Sequence, residues 1–180
     1  MEAAMLIARS SAECHLYIEL RACECGEGRS PWKHQLESRA DALIAAYEGR
    51  CDRCSRPWTF EFALDPEVCE IGKFGGTKPS QIVDAGQFLA VADAAARAVA
   101  ADVSALDDLS RQRARALMLR AVAAIEEVLK LIPPGADRIA ADSLSSAMGK
   151  AMYLADPGRF RKSRLEAVLG VYREAVGRLS

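Results

Sequence analysis

Histidine and aromatic residues are scarce in this sequence, and long apolar runs are missing. The 180 residues include two histidines, His15 and His34, and aromatic residues make up 6% of the chain. There is no Glu-x-x-His motif and no separable Ser-His-Asp set, so no catalytic residue is identified and we expect a protein that is not an enzyme. Because no stretch of about 18 apolar residues occurs and Glu2 stands where a signal peptide needs positive charge, we expect a cytoplasmic protein without membrane contact.

Cysteine, in contrast, is well represented, and four of the six cysteines form a spaced motif. Cys23 and Cys25 form a C-x-C pair, and Cys51 and Cys54 form a C-x-x-C pair, with 25 residues between the pairs. Without an export signal, such a pattern indicates metal binding rather than disulfides. Four thiolates bind Zn²⁺ in a tetrahedron at about 2.3 Å and leave no open position for a substrate. We therefore predict a structural zinc site with these four cysteines as its ligands.

Three other interpretations of the motif remain open. A disulfide framework would need an oxidising compartment. A thioredoxin-like Cys51-x-x-Cys54 would need a helix to begin at its first cysteine, whereas Pro57 and a strand pattern follow. The C-x-C…C-x-x-C arrangement also resembles the zinc motif of the redox-regulated heat-shock holdase, which implies a zinc site that responds to oxidants. That resemblance covers the four cysteines alone, since the holdase's large substrate-binding domain has no counterpart here.

The remaining cysteines and histidines are given no role in the site. Cys14 and Cys69 are expected to be buried or half-buried thiols that pack as small apolar groups. His15 and His34 could each replace a cysteine as a ligand, although single histidines on strands are more often packed or surface residues. The glycine-rich residues 73–78 lack the spacing of a phosphate-binding loop and are interpreted as a connector.

The apolar pattern predicts an α+β fold with an N-terminal antiparallel sheet like that of a zinc ribbon. The clearest signal is the alternation of Trp58, Phe60, Phe62 and Leu64, which is typical of a strand with one buried face. The sheet is followed by a helical bundle of three to four helices. The predicted strands are residues 15–21, 32–39, 43–50 and 58–64.

This pattern divides the chain into four parts. Residues 1–10 are expected to be a flexible tail, 11–66 a zinc-ribbon-like β unit, 67–83 a Gly/Pro connector, and 84–180 a helical region packed on the β unit. Asp84 is the expected N-cap of the first of these helices. Asp156, with Pro157 after it, is the expected start of the last one.

The distribution of charge suggests a protein partner. Residues 1–83 contain 10 basic and 13 acidic residues, a net charge of −3, whereas residues 84–180 carry a net charge of +2. We therefore expect a non-enzymatic protein-binding module, for example an immunity- or antitoxin-type protein that masks a basic toxin. One alternative is a nucleic-acid-associated regulator that uses the basic cluster at residues 159–164, which contains Arg159, Arg161, Lys162 and Arg164. The other is a thiol or zinc redox sensor.

Several short phrases also resemble a bacterial family, actinobacterial in style, that combines a zinc ribbon with helices. The phrases are residues 20–26, 47–51, 60–64, 74–76, 127–130 and 158–161. The resemblance extends over most of residues 11–180 and implies that ribbon and helices form one unit. The family has no established activity, so the resemblance implies no function.

Overall fold

A computed structural model describes residues 5–27, 31–99 and 106–180. In these ranges it contains a four-stranded sheet and five α-helices, and four of the helices follow the sheet along the chain. The predicted mixed α+β class, with the sheet N-terminal to most helices, is therefore confirmed. Within the same ranges we find no helix with the length and apolar character that a membrane crossing requires.

The chain forms two compact units. The β unit comprises Met1–Glu70, Phe74–Gly76 and Ser80–Ile82, and the helical unit comprises Ile71–Lys73, Thr77–Pro79 and Val83–Ser180. The segment between the last strand and the next helix thus alternates between the two units.

The sheet of the β unit has four strands in the order β1-β4-β3-β2. The strands are β1 (Leu6–Ala8), β2 (Trp32–Arg39), β3 (Ala42–Arg50) and β4 (Pro57–Leu64). β2, β3 and β4 form an antiparallel meander, whereas β1 runs parallel to β4. Three of the four predicted strands are therefore present close to their predicted positions.

The predicted flexible tail is wrong for residues 6–8, because they form strand β1. Leu6 pairs with Phe62 and Ala8 with Leu64, and the backbone N–H of Asp65 donates to the carbonyl of Ala8 at 2.8 Å. Residues 6–8 are consequently an edge strand, because their backbone groups complete the β4 side of the sheet. Residues 1–4 of the predicted tail lie outside the described ranges.

The predicted strand at residues 15–21 is wrong, since this segment belongs to helix α1 (Ser11–Glu19). Ser10 is the N-cap, and its side chain accepts a hydrogen bond from the backbone N–H of Glu13 at 3.0 Å. This Ser-x-x-Glu spacing is a helix-start signal. Helix α1 is buried on most of its sides, so its apolar residues do not mark a single helix face. For this reason Leu16 and Ile18 alternate with polar residues in the pattern expected of a strand.

Helix α1 packs on the face of the sheet that carries the alternating aromatic residues of β4. The ring of Tyr17 lies 5.9 Å from that of Phe60 and 5.3 Å from that of Phe62, edge-on in both cases. His15 contacts the buried ring of Tyr47 on β3 at 5.3 Å. Since directly paired residues share a face, this aromatic face fixes the register of the three antiparallel strands.

A buried ion pair joins the end of β1 to α1. The Arg9 Nη2 atom lies 2.6 Å from Glu13 Oε1, and the two side chains are 5% and 0% exposed. The backbone N–H of Arg9 also donates to Glu13 Oε2 at 2.7 Å. A Cβ atom on Gly75 would lie 2.4 Å from the Arg9 Cζ atom, so only glycine allows the backbone to pass this close to the guanidinium group.

The helical unit contains four α-helices in the described ranges. They are α2 (Ala85–Arg97), α3 (Asp108–Lys130), α4 (Ala147–Ala155) and α5 (Lys162–Arg178). Asp84 caps α2 as predicted, in a reciprocal capping box with Gln87. Helix α3 contacts both α2 and α5, and its buried residues include Ala121, Ile125 and Val128.

The predicted start of the last helix is wrong by one short turn. Asp156 and Pro157 begin a 3₁₀ turn, Pro157–Phe160, and α5 begins only at Lys162. Arg161 between them is extended, with φ −77° and ψ 136°. Two backbone hydrogen bonds to residues 137–139 separate the 3₁₀ turn from α5. The Lys162 N–H donates to the Asp137 carbonyl at 2.8 Å, and the Ile139 N–H donates to the Phe160 carbonyl at 3.1 Å.

The N-termini of α2 and α4 meet at a contact between two glycines. The Asp84 carboxylate accepts hydrogen bonds from the backbone N–H groups of Gln87 at 2.9 Å and Ser146 at 2.7 Å. It therefore caps α2 and also fixes the residue that caps α4. A Cβ atom on Gly86 would lie only 2.2 Å from the Cα atom of Gly149.

We expect Gly86→Ala to lower the free energy of unfolding by about 1–3 kcal/mol, because the added methyl group forces α2 and α4 apart. Gly170→Ala is the matched control, since nothing lies within 4 Å of a Cβ atom at that position in α5. The control should be neutral or stabilising by up to about 1 kcal/mol, because alanine favours a helix more than glycine does. Urea unfolding followed by circular dichroism measures both values. Equal effects of the two substitutions would contradict this close packing.

Candidate metal centre

The first cysteine pair lies in a tight turn that follows α1. The backbone N–H of Cys23 donates to the carbonyl of Glu27 at 2.8 Å, and that of Gly26 donates to the carbonyl of Cys23 at 2.7 Å. Gly26 has φ +86°, a conformation that glycine adopts without steric cost. The sequence Cys-x-Cys-Gly thus folds locally so that Cys23 and Cys25 stand at one chain reversal.

The second pair lies in the connection between β3 and β4. The backbone N–H of Cys51 donates to the carbonyl of Arg56, and that of Ser55 donates to the carbonyl of Cys51, both at 2.9 Å. Ser55 takes the position that glycine has in the first turn and adopts φ +59°. The second turn is therefore one residue longer than the first, and it reaches the same left-handed conformation after its last cysteine without a glycine.

The two turns bring four cysteine thiols together. The Sγ atoms of Cys23, Cys25, Cys51 and Cys54 all lie within 4.8 Å of one another. Two of the Sγ–Sγ distances between the turns are only 3.5 Å, from Cys23 to Cys54 and from Cys25 to Cys51. A tetrahedron of sulfurs around zinc at about 2.3 Å has edges of about 3.8 Å, so these thiols are spaced to hold a metal ion.

The four thiols differ in exposure, and the pKa values of Cys23 and Cys25 are shifted in opposite directions. Cys23 and Cys51 are buried, whereas Cys54 is exposed. The backbone N–H of Cys25 and the neighbouring thiols lower the pKa of Cys23 to about 6. At Cys25 the backbone N–H of Glu27 acts to lower the pKa, but desolvation and the three neighbouring sulfurs raise it to about 12. A bound cation would favour the thiolate form of these side chains, because an adjacent positive charge stabilises a thiolate.

Cationic side chains of the second turn reach toward the first turn. Arg56 forms an ion pair with Glu24, and the Arg53 Nη1 atom donates to the carbonyl of Cys25 at 3.2 Å. Arg50 lies at the start of the same turn. A divalent ion with four thiolates carries a net charge of −2, and Arg56 lies close enough to Cys23 and Cys54 to interact with this charge.

The other cysteines and histidines do not join the cluster. Cys14 is fully buried on α1, where burial raises the pKa of its thiol to about 12. His34 stacks on the Tyr47 ring at 4.7 Å, and the partly exposed Cys69 thiol donates to the adjacent Glu70 carbonyl. Within the described ranges, the four-cysteine set is the one group of three or more His, Cys, Asp or Glu side chains whose donor atoms converge.

The basic cluster at residues 159–164 is partly engaged inside the helical unit. Arg159 Nη2 contacts both carboxylate oxygens of Asp93 on α2, at 2.7 and 2.8 Å. Arg164 Nη1 donates to Asp156 Oδ2 at 3.0 Å. Two of the four cations in this cluster are therefore paired with carboxylates.

A groove beside the second cysteine turn is a feature that we did not predict. Trp32, Gly49 and Trp58 lie opposite one another on β2, β3 and β4, and the two indole rings are 5.4 Å apart. A Cβ atom on Gly49 would lie 2.9 Å from the Trp32 ring, so a glycine at this position leaves the space that the ring occupies against the sheet. The groove has a volume of about 590 Å³, and Lys33 and Arg50 are among the residues that line it.

Comparison with known proteins adds no assignment. No protein-family model, no curated protein and no solved structure matches this chain. The zinc ribbon and the resemblance to actinobacterial-type proteins stay predictions. The residues themselves establish a cluster of four cysteine thiols that can hold a metal ion such as zinc.

Proposed function

We propose that this chain is a non-enzymatic, zinc-containing protein-binding module. Zinc suits the cluster because it favours four thiolate donors in a tetrahedron and has no need of further ligands. Such a centre is closed, since its four ligands leave no position at which a substrate could bind. The metal would hold the turn after α1 and the β3–β4 turn together and so support the surface around them.

The observation that carries this proposal is the partly exposed tryptophan pair next to the metal centre. Trp32 and Trp58 are half-buried, and Trp58 also lines a second depression together with Arg21 and Cys23. Tryptophan and arginine are the residues that most often dominate binding energy at protein interfaces. The short β3–β4 turn restricts movement of the two strands, which lowers the entropy lost on binding.

The net charge of residues 1–83 as a whole favours a basic partner, although the charged residues that line the groove are Lys33, Glu48 and Arg50. Residues 1–83 carry a net charge of −3 when the thiols are neutral. Zinc with four thiolates would make this charge more negative by two, since four protons leave and one divalent cation enters. One specific version of the proposal is an immunity- or antitoxin-type protein that masks a basic toxin.

We expect the double variant Trp32→Ala/Trp58→Ala to lose its partner and to keep its zinc. Truncation of two interface tryptophans should weaken binding by roughly 30-fold or more. The measurement is affinity capture from native lysate with wild-type and variant chains, followed by a titration of the captured basic protein. Leu154→Ala, at a position 83% exposed in the helical unit, is the control and should bind as wild type does.

Two outcomes would contradict the proposal. One is the absence of any stoichiometric protein on the wild-type chain, and the other is equal capture by the wild type and the tryptophan variant. Nuclease treatment of the captured material distinguishes the alternative function. If nucleic acid is retained instead, and retention falls with salt, the chain is a nucleic-acid-associated protein.

A further inference from the structure

Strand β2 forms a long exposed edge of the sheet. All eight residues, Trp32–Arg39, pair with β3 on one side, and in the described ranges no strand pairs with the other side. The opposite edge is the three-residue strand β1. About half of the backbone N–H and C=O groups of an edge strand point away from the sheet, where they can bond to another strand.

The charges along β2 are complementary to those of the same strand in the reverse direction. Lys33 and Glu37 lie on one face, two residues to either side of Gln35, and Glu37 also pairs with Arg39 of its own strand, Arg39 Nη2 to Glu37 Oε2 at 2.7 Å. We propose that β2 pairs antiparallel with β2 of a second copy of this chain, with Gln35 on the two-fold axis. Lys33 then lies opposite Glu37 of the second copy, and the symmetry axis creates this pair twice.

Neighbouring registers lack this complementarity. A two-fold axis at Leu36 would place Lys33 opposite Arg39 of the second copy, and an axis at Glu37 would place two carboxylates opposite each other. An axis at His34 would place no opposite charges against each other and would pair fewer residues of the strand. Because like charges directly opposite are destabilising, the charge pattern favours the register centred on Gln35 among those centred on residues 34–37. A register centred on Ser38 would also pair opposite charges, but it would join only the end of the strand.

The other face of β2 supplies an apolar contact for the same register. Leu36 is 54% exposed, and its pairing with Ala45 places it on the face that α1 covers farther along the sheet. In the proposed dimer Leu36 lies opposite His34 of the second copy and diagonally next to the second Leu36. The pairing would thus cover an exposed leucine on a polar strand. A single pair of edge strands buries less than about 1,200 Å², so the dimer should be weak and dependent on concentration.

The test is sedimentation equilibrium of the zinc-loaded full chain over a range of concentrations. Wild type should show reversible dimerisation. Lys33→Glu replaces two attractive pairs with two repulsive ones and should raise the dimer dissociation constant by about 30-fold. The double variant Lys33→Glu/Glu37→Lys restores opposite charges in the same register and should recover most of that loss. Lys150→Glu makes the same charge change at an exposed position of α4 and should have no effect.

Three results would overturn the inference. The first is a wild type that stays monomeric up to about 1 mM, a concentration at which even weak specific contacts form. The second is a dimer whose dissociation constant Lys33→Glu does not raise. The third is a double variant that does not regain the affinity lost in Lys33→Glu. Zinc content and thermal unfolding of each variant show whether folding is unchanged. This inference goes beyond the proposed function, because self-association through β2 needs no foreign partner, although Trp32 and Lys33 belong both to β2 and to the lining of the tryptophan groove.

Discussion

Replacing Cys51 with serine is expected to remove the metal and to unfold the β unit. Cys51 is 2% exposed and links β3 to the cluster, so its loss leaves three thiols at the end of the central hairpin. Binding of structural zinc contributes on the order of 10–16 kcal/mol to folding, which is as large as the whole stability of a typical domain. Elemental analysis should find about one zinc per wild-type chain and close to none in the variant.

Cys69→Ser is the matched control for this experiment. It makes the same chemical change at a partly exposed thiol outside the cluster, and it should keep both the zinc and the wild-type melting temperature. Removal of the metal from the wild type with a strong chelator should reproduce the effect of Cys51→Ser. A metal-free wild type with unchanged thermal stability would show that the thiols converge for another reason.

Arg9→Met is expected to cost about 3–5 kcal/mol of stability, because it leaves the carboxylate of Glu13 buried without its partner. The Glu13 side chain is 0% exposed, so water cannot replace the guanidinium group. Chemical unfolding of the β unit, followed by the fluorescence of Trp32 and Trp58, measures this effect.

Two further variants identify the source of the loss. Arg9→Met/Glu13→Gln removes both charges and keeps a side-chain oxygen that can accept from the backbone N–H of residue 9, so it should recover most of the stability. Arg138→Met breaks an exposed ion pair with Asp137 and should cost less than about 1 kcal/mol. If Arg9→Met were as mild as Arg138→Met, the buried pair would contribute little to folding.

Elements whose residues alternate or cap in a simple way could be predicted from the sequence. Phe60 and Phe62 face α1, and Trp58 lies on the same side of β4, so alternation along this strand marks its covered side. Asp84 begins α2 because its carboxylate bonds to the backbone three residues later. In both cases the local signal and the tertiary environment agree.

The failures come from segments whose environment differs from the usual one. Helix α1 is buried on several sides, so its sequence does not show a single apolar stripe. Strand β1 is only three residues long and depends on pairing with a segment far along the chain. Asp156 does begin a turn, but the bonds that separate this turn from α5 come from residues 137–139.

The candidate site shows the same division. The spacing of the cysteines was sufficient to predict that four thiols would converge, because each pair lies within one tight turn. The tryptophan groove could not be predicted, since it needs the register that places Gly49 between Trp32 and Trp58. A glycine within a strand was a signal of close approach, but the sequence did not show which rings approach it.

The parallel pairing of β1 with β4 has a consequence for the order of folding. The β2–β3 and β3–β4 hairpins close short loops, whereas Leu6 of β1 can pair only after Phe62 of β4 has been synthesised. During synthesis at about 5–20 residues per second, β1 leaves the ribosome several seconds before its partner does. Both cysteine turns are made in that interval, so metal capture can precede the closure of this long loop. Strand β1 is then the last of the four strands to enter the sheet, and until that step the edge of β4 is open to misplaced strands.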